Sequence, residues 1–267
     1  MSQEKDYVLG ADQTELQRLK LQHDLWKDNL IRLWKKANFI SGQSVLELGC
    51  GPGYTTEDLS TYLDQKSQIT AVDISDNFLS YLKNKNIPGV ATHKSFIESL
   101  HLEKKNFDAA FCRWLMIFVP DINVAIAKIS EHLKPGATFA LQEYISYDSF
   151  SIAPDAAIMK KVIDAIFESW MDQGGYPNQG RRLPIALEKN GFDVIEIEPI
   201  ARVCRPHEPL WAWPETFFQS FIPRLVQTGY LTTNDQTEFF TTWETLKTTK
   251  GAFCVTPTVV NIIAKKR

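Results

Sequence analysis

Residues 45–56 read VLELGCGPGYTT. The run Ser44–Leu48 predicts a strand, the glycines after it a tight turn, and residues 54–63 a helix leaving that turn. Glycines at such a junction permit backbone angles that a side chain would forbid, and they let a ligand lie against bare peptide. The pattern Glu47-Leu48-Gly49-Cys50-Gly51-Pro52-Gly53 is an ExGxGxG. It carries an acid before the first glycine, and its spacing is not the GxGxxG of a pyrophosphate turn. That difference speaks against a nicotinamide-dependent oxidoreductase.

On the C-terminal side of the turn, strand and helix signals alternate. Gln68–Asp73 reads as a second strand, 76–83 as a helix and 90–93 as a short third strand. Phe107–Arg113 reads as a fourth strand. Residues 122–133 read as a helix stopped by Lys134-Pro135-Gly136, and 137–144 as a fifth strand. A strand–helix alternation with right-handed crossovers implies an α/β fold: a doubly wound, mostly parallel sheet with helices on both faces. The second half predicts helices at 155–170 and 182–189 around a turn-rich loop at 172–180, and a strand at Phe192–Ile200. A long aromatic-rich helical stretch follows at 207–248, and a closing β segment at 252–264. On the N-terminal side, Leu16, Leu19, Leu30, Leu33 and Trp34 recur at helical intervals. Asp12 or Thr14 is the candidate cap, and Ser41-Gly42 is the stop. No linker divides the chain, so residues 1–267 read as one domain. It comprises a helical N-terminal lid (1–40), a core (41–145), and a region (146–267) of insertions and remaining strands.

Composition excludes several classes. With 29 Lys and Arg against 32 Asp and Glu, the chain lacks the basic excess of a nucleic-acid binder. Lys35-Lys36 and Lys265-Lys266-Arg267 read as solvated element ends. The cysteines at 50, 112, 204 and 254 show no CxxC spacing, so neither a metal site nor a redox pair is expected. The polar start MSQEKDYVLG has no apolar signal core, and no stretch reaches the roughly 18 apolar residues that span a bilayer. No membrane contact and a reducing, cytoplasmic setting are expected.

Four segments in order resemble those of class I (Rossmann-like) S-adenosylmethionine-dependent methyltransferases. These are VLELGCGPGYTT, AVDIS at 71–75, FDAAFCRWLMIFVPD at 107–121 and LKPGATFALQEY at 133–144. Tyr7-Val8-Leu9-Gly10 with Glu15, Arg18-Leu19 and Gln22 is similar to the opening segment of some bacterial small-molecule members. The resemblance implies a seven-stranded sheet, S-adenosyl-L-methionine as cofactor and S-adenosyl-L-homocysteine as product. It implies that Gly49 and Gly51 let the backbone approach the methionine part. Glu47 would bind an amino group or orient the loop through water. Asp73, at a strand end about 20 residues past the loop, would accept from both ribose hydroxyls; otherwise it caps the next helix. Ile74 would cover adenine, and Tyr7 and Gln22 would close over the cofactor. Relatives often carry Gly-Asp-Ala where this chain has Ser95-Phe96-Ile97. Phe96 cannot accept the adenine amino group; it packs on adenine or belongs to the core, while the Ile97 N–H reaches a ring nitrogen. The Arg113 carbonyl would hold the methionine ammonium, with its guanidinium there or in a structural ion pair.

Methyl transfer from a sulfonium is an in-line displacement from an activated donor. Positioning alone can be worth effective molarities of order 10⁵ M, and a base is needed only if the acceptor must lose a proton. Many relatives carry a His after the fourth strand, where this chain has Leu115-Met116-Ile117-Phe118. Glu143 and Tyr144, at the fifth-strand end, are the candidate catalytic pair, with Tyr147, Tyr176 and His207 behind them and His23 read as structural. Trp211, Trp213, Phe217, Phe218, Phe221, Tyr230, Phe239, Phe240 and Trp243 form either core or acceptor pocket. The motifs of base-amino and cytosine methylation, Asn/Asp-Pro-Pro-Tyr and Pro-Cys, are absent. The expected partner is therefore a small-molecule acceptor, methylated at O, N or C, with no nucleic acid; a homodimer is compatible with this reading. The alternative is a non-catalytic module that binds the same cofactor. A lid at the N-terminus predicts that cofactor slows amide hydrogen exchange across residues 5–25, and unchanged exchange there would count against it.

Overall fold

A computed structural model describes residues 13–103 and 105–267. Helix α1 (Gln13–Lys36) leads into β1 (Ser44–Leu48), the glycine turn and α2 (Tyr54–Tyr62). There follow β2 (Gln68–Asp73), α3 (Asp76–Asn84), β3 (Val90–Lys94), β4 (Phe107–Arg113), α4 (Ile122–His132) and β5 (Leu133–Ser146). Next come β6 (Ser151–Ala153), α5 (Ala157–Asp172), α6 (Leu183–Lys189), β7 (Phe192–Ile200) and β8 (Val203–Cys204). The described chain closes with α7 (Ala212–Gln227), α8 (Thr233–Thr248), β9 (Phe253–Val255) and β10 (Thr258–Lys266).

The main sheet has seven strands in the order β3-β2-β1-β4-β5-β10-β7. The first five are parallel, and β10 runs antiparallel to both β5 and β7. Strand residues alternate between the faces, so each face buries its own set. Val45, Ile69, Ala109 and Phe111 pack under Leu30, Leu33 and Trp34 of α1 and Leu59 of α2. Leu46, Leu48, Ala110, Cys112 and Leu141 face Ile122, Ile126 and Ile129 of α4 and Leu183 and Leu187 of α6. The expected doubly wound sheet is the one observed.

Helix α1 departs from its expected stripe at one end. Trp26, Leu30, Leu33 and Trp34 are fully buried, but Leu16 and Leu19 are only half-buried. Glu15, Arg18 and His23 fill the inner face there instead, so a polar cluster replaces the apolar stripe. Of the candidate caps, Asp12 lies outside the described residues and Thr14 is inside the helix.

Three further expectations need correction. Lys134-Pro135-Gly136 does not precede the fifth strand but bulges within it: pairing jumps from Phe107↔Leu133 to Ala109↔Thr138. Residues 207–248 form two helices. Gly229, at φ 84°, lets the chain leave α7, and Thr232 with Asp235 makes a capping box that starts α8. Residues 252–264 divide at Pro257, which has no N–H for a ladder. β9 joins a separate three-stranded sheet, β6-β9-β8, while β10 enters the main one. No helix among the described residues is long and apolar enough to cross a membrane.

Trp34 joins α1 to the sheet, its ring edge-on to Phe111 with centroids 5.6 Å apart and tilted against Tyr62. Trp34→Ala is expected to cost about 3–5 kcal/mol, the usual range for truncating a buried tryptophan. A shift in the urea midpoint measures it; a change below about 1 kcal/mol would show that α1 is not docked through this residue.

Candidate active site

Strand order reverses between β1 and β4, and in such sheets the gap at the carboxyl ends of the strands is left uncovered. Here it opens into a cavity of about 610 Å³. All the expected cofactor-side residues that the structure describes line it: Gln22, Glu47, Gly49, Gly51, Asp73, Ile74, Phe96, Ile97 and Arg113. Tyr7 lies outside the described residues.

The glycine turn is held by the strand beside it. Asp73 ends β2, and its Oδ2 accepts from the Gly51 N–H at 2.8 Å while Oδ1 accepts from the Ser75 N–H at 2.9 Å. Burial pushes its carboxyl above the ordinary value, against those backbone bonds. The helix cap itself is Ser75, whose hydroxyl accepts from the Phe78 N–H, so Asp73 clamps the loop rather than caps the helix, and its remaining lone pairs stay available to the cavity. Gly49 has φ 66°, and a Cβ there would stand 3.0 Å from the Leu115 side chain. Phe96 is 49% exposed at the cavity rim, so it is not core.

The cavity floor carries two buried groups of opposite sign. The Arg113 guanidinium, at the end of β4, donates through Nη2 to Thr55 Oγ1 at 3.0 Å and to His23 Nδ1 at 3.2 Å. Its Nη1 is buried without a partner. Burial lowers its pKa to about 10, so it stays cationic at neutral pH. His23 bonds Asp58 through Nε2 at 2.8 Å, and Lys27 reaches the other Asp58 oxygen at 2.8 Å. Burial first, and Arg113 second, push His23 down to about 4. The neutral ring therefore accepts from Arg113 on Nδ1 and donates to Asp58 on Nε2. Of the two roles left open for the Arg113 guanidinium, a direct ion pair is not seen among the described residues; its hydrogen-bond partners are neutral. Glu47 is 1% exposed, burial pushes it up to about 7, and its Oε2 has no partner. Two such orphaned polar atoms in one cavity mark a place for a ligand.

A second cavity, about 60 Å³, adjoins the first, with Gln22, Trp114, Phe118 and Trp170 lining both. Its other walls include Arg18, Tyr144, Tyr147, Phe150, Trp213, Phe217 and Phe218. Trp114 stacks on Tyr144 with centroids 5.7 Å apart. The aromatic run therefore divides. Trp213, Phe217 and Phe218 line the cavity, while Trp211, Phe221, Phe239 and Trp243 are core. Arg18 is held by both oxygens of Glu15, at 2.8 and 2.7 Å, and donates to Gln22 Oε1 at 3.1 Å. That same oxygen accepts from Trp213 Nε1 at 3.0 Å, joining α1 to α7.

The expected catalytic pair is split by the strand's own alternation. Tyr144 faces the aromatic cavity, so Glu143 faces the other way. Glu143 lines neither cavity; it accepts from its neighbour's Tyr144 N–H at 2.8 Å and from Ile117 N–H at 3.3 Å, capping the turn Met116–Phe118. Burial pushes it up to about 8. Tyr176 lies under the Arg182 guanidinium, 3.6 Å from its ring centroid, and lines neither cavity; nor does His207. Sequence reasoning missed Thr55, Trp114 and Trp170. Trp114 has φ 50°, a left-handed angle rare for a bulky residue; nothing in its sequence context announces that.

Residues 45–136 match the family model described as a methyltransferase domain. The ubiquinone/menaquinone biosynthesis C-methyltransferase of Shewanella piezotolerans is 28% identical over 172 residues, 61% of this chain and 66% of that protein. A demethylmenaquinone methyltransferase of Lactococcus lactis is 27% identical over 154 residues, 56% of this chain and 57% of its own. The chain thus spans less than two-thirds of the length of these curated relatives. Among solved structures, the geranyl diphosphate C-methyltransferase of Streptomyces coelicolor, in complex with S-adenosyl-L-homocysteine, superposes with TM-score 0.59 at 15% identity. The match covers 92% of this chain and 77% of that one. At that identity the likeness is one of fold.

The two buried carboxyls set a pH dependence. Glu47 and Glu143 titrate near 7 and 8 in the folded chain, above the ordinary 4.5, so the folded state holds more protons in between. The contribution of these two groups to stability should therefore fall as pH rises from about 4.5 to about 8, opposed below 6.5 by His23, whose proton the unfolded chain retains. Glu143→Gln should make that fall shallower in urea titrations across this range; an unchanged slope would show that Glu143 is ionised as readily folded as unfolded.

Proposed function

We propose, for a chain that carries a class I S-adenosylmethionine-dependent methyltransferase domain, that it transfers a methyl group to a small apolar or aromatic acceptor held where the aromatic cavity opens into the larger cleft. The observation that carries this reading is the pairing of the larger cleft, with its unpartnered Arg113 Nη1 and Glu47 Oε2, to an aromatic cavity through shared walls.

The residues present fit S-adenosylmethionine. Asp73 suits the ribose hydroxyls, with Ile74 and the exposed Phe96 placed for adenine. Arg113 Nη1 suits a carboxylate, and Glu47 an ammonium. Bound there, the cofactor supplies a methyl group already activated as a sulfonium. The chain's own part is to bind, orient and exclude water. His23 and Thr55 hold the guanidinium in place. Trp114, Trp170 and Phe118 form the waist between the cavities, an apolar passage where solvent competes poorly. The acceptor cavity walls carry no carboxylate and no histidine among the described residues. Burial pushes the Tyr147 phenol well above its ordinary range. Catalysis then rests on positioning, and the acceptor's O, N or C atom arrives nucleophilic without a protein base.

The same lack of a base favours one other reading, a non-catalytic module that binds the cofactor. Release of S-adenosylhomocysteine across a panel of apolar acceptors separates the two, since turnover with any of them excludes the module. Calorimetry is expected to show binding of S-adenosylmethionine and S-adenosylhomocysteine but not NAD. Asp73→Ala should weaken that binding by about 1–3 kcal/mol. Tyr144→Phe should retain turnover, because no step uses its proton; binding of NAD alone would overturn the whole reading.

A further inference from the structure

The four cysteines lie far apart in sequence, but the fold brings two of them together. Cys204 ends β8 and Cys254 is central in β9, and they are direct partners in the antiparallel ladder. Registered antiparallel partners have Cα atoms about 4.5–5.5 Å apart, within the roughly 4.4–6.8 Å that a disulfide spans. Side chains of direct partners share a face. Here it is the inner face, for both residues are wholly buried, and their sulfurs lie 2.7 Å apart. That is closer than the roughly 3.5–4.0 Å at which even non-bonded carbon atoms rest. The remaining pair, Cys50 and Cys112, belong to separate core clusters.

We propose that Cys204 and Cys254 are a disulfide-forming pair, and that the bond clamps the small sheet on which the seat of α1 depends. Arg202, two residues before Cys204, donates to the Leu25 carbonyl of α1 at 2.7 Å and stands over the Trp26 ring at 5.2 Å. Across the ladder, Thr256 donates its N–H to the Arg202 carbonyl at 2.8 Å. The next residue, Pro257, lines the aromatic cavity. A bond between 204 and 254 also closes a loop that contains all of α7 and α8, including the cavity walls Trp213, Phe217 and Phe218.

The oxidant is a small-molecule disulfide. One cysteine thiolate attacks a sulfur of that reagent, forming a mixed disulfide and expelling one small thiolate. The second cysteine thiolate attacks the protein sulfur of the mixed disulfide and expels the other. Two protein S–H bonds and one reagent S–S bond become one protein S–S bond and two small thiols, which take up the two protons. Exchange proceeds when β8, a two-residue edge strand, swings off β9. The Cys204 sulfur beside it, and burial, hold the Cys254 thiol far above its ordinary range while the sheet is closed.

The test incubates the full chain with oxidised glutathione, quenches with acid, and alkylates in denaturant without reductant before peptide mapping. The expected result is a cross-linked peptide containing Cys204 and Cys254, with alkylation confined to Cys50 and Cys112. Alkylation of all four cysteines, glutathione retained on Cys204 or Cys254, or cross-links to Cys50 or Cys112 would overturn the pairing. The clamp predicts a higher melting temperature for the oxidised chain, and slower amide exchange in β8, β9 and residues 22–30 of α1. An unchanged melting temperature and exchange pattern in a cross-linked chain would overturn it.

Discussion

A parallel sheet that is wound in both directions from one strand cannot cover its own switch point. β1 has β2 on one side and β4 on the other, and the chain leaves their carboxyl ends by turns that diverge. The backbone there must be capped by something other than a helix. Asp73 does this for the glycine turn, and Glu143 does it for the turn after β4. The guanidinium of Arg113 fills the remaining gap, bonded to two neutral partners and favoured as a cation by the nearby Glu47 and Asp58 carboxyls. A buried cation with so few direct partners is costly. Its Nη1, on the floor of the larger cleft, is left open to an anionic ligand.

Helix α1 roofs both cavities. It gives Leu19 to one, Arg18 to the other and Gln22 to both, and its His23 holds Arg113 from behind. The polar residues on its inner face are therefore not defects in an amphipathic pattern. Farther along, Trp26, Leu30, Leu33 and Trp34 supply the apolar burial that holds the helix down. The docking half and the binding half of one helix obey different rules, which is why a single stripe did not describe it.

The same division decides what could be read from the chain. Gln68–Asp73, Phe107–Arg113 and Phe192–Ile200 were legible as strands to the residue, because each is a β-prone run bounded by turn or charge signals. The glycine turn and Asp73 were legible because backbone geometry demands those residue types. What depends on direction was not. Periodicity places Glu143 and Tyr144 on opposite faces but does not say which face meets the cleft. The orphaned Nη1 of Arg113 and the left-handed Trp114 are properties of the packed chain that no local pattern encodes. Strands of two or three residues, such as β6, β8 and β9, are too short to show any period, so the small sheet and its facing cysteines went unseen.

β10 sits between β5 and β7, antiparallel to both, and pairs Leu141 with Ile262 and Ile197 with the same residue. The main sheet is thus completed by the last strand of the described chain, inserted between two strands made long before it. Until residue 258 has emerged in synthesis, β5 and β7 each present an unpaired edge next to apolar side chains, the arrangement most prone to pair with the wrong chain. The edge of the sheet nearest the aromatic cavity is thus closed by pairings distant in sequence, while the five parallel strands pair through contacts closer in sequence.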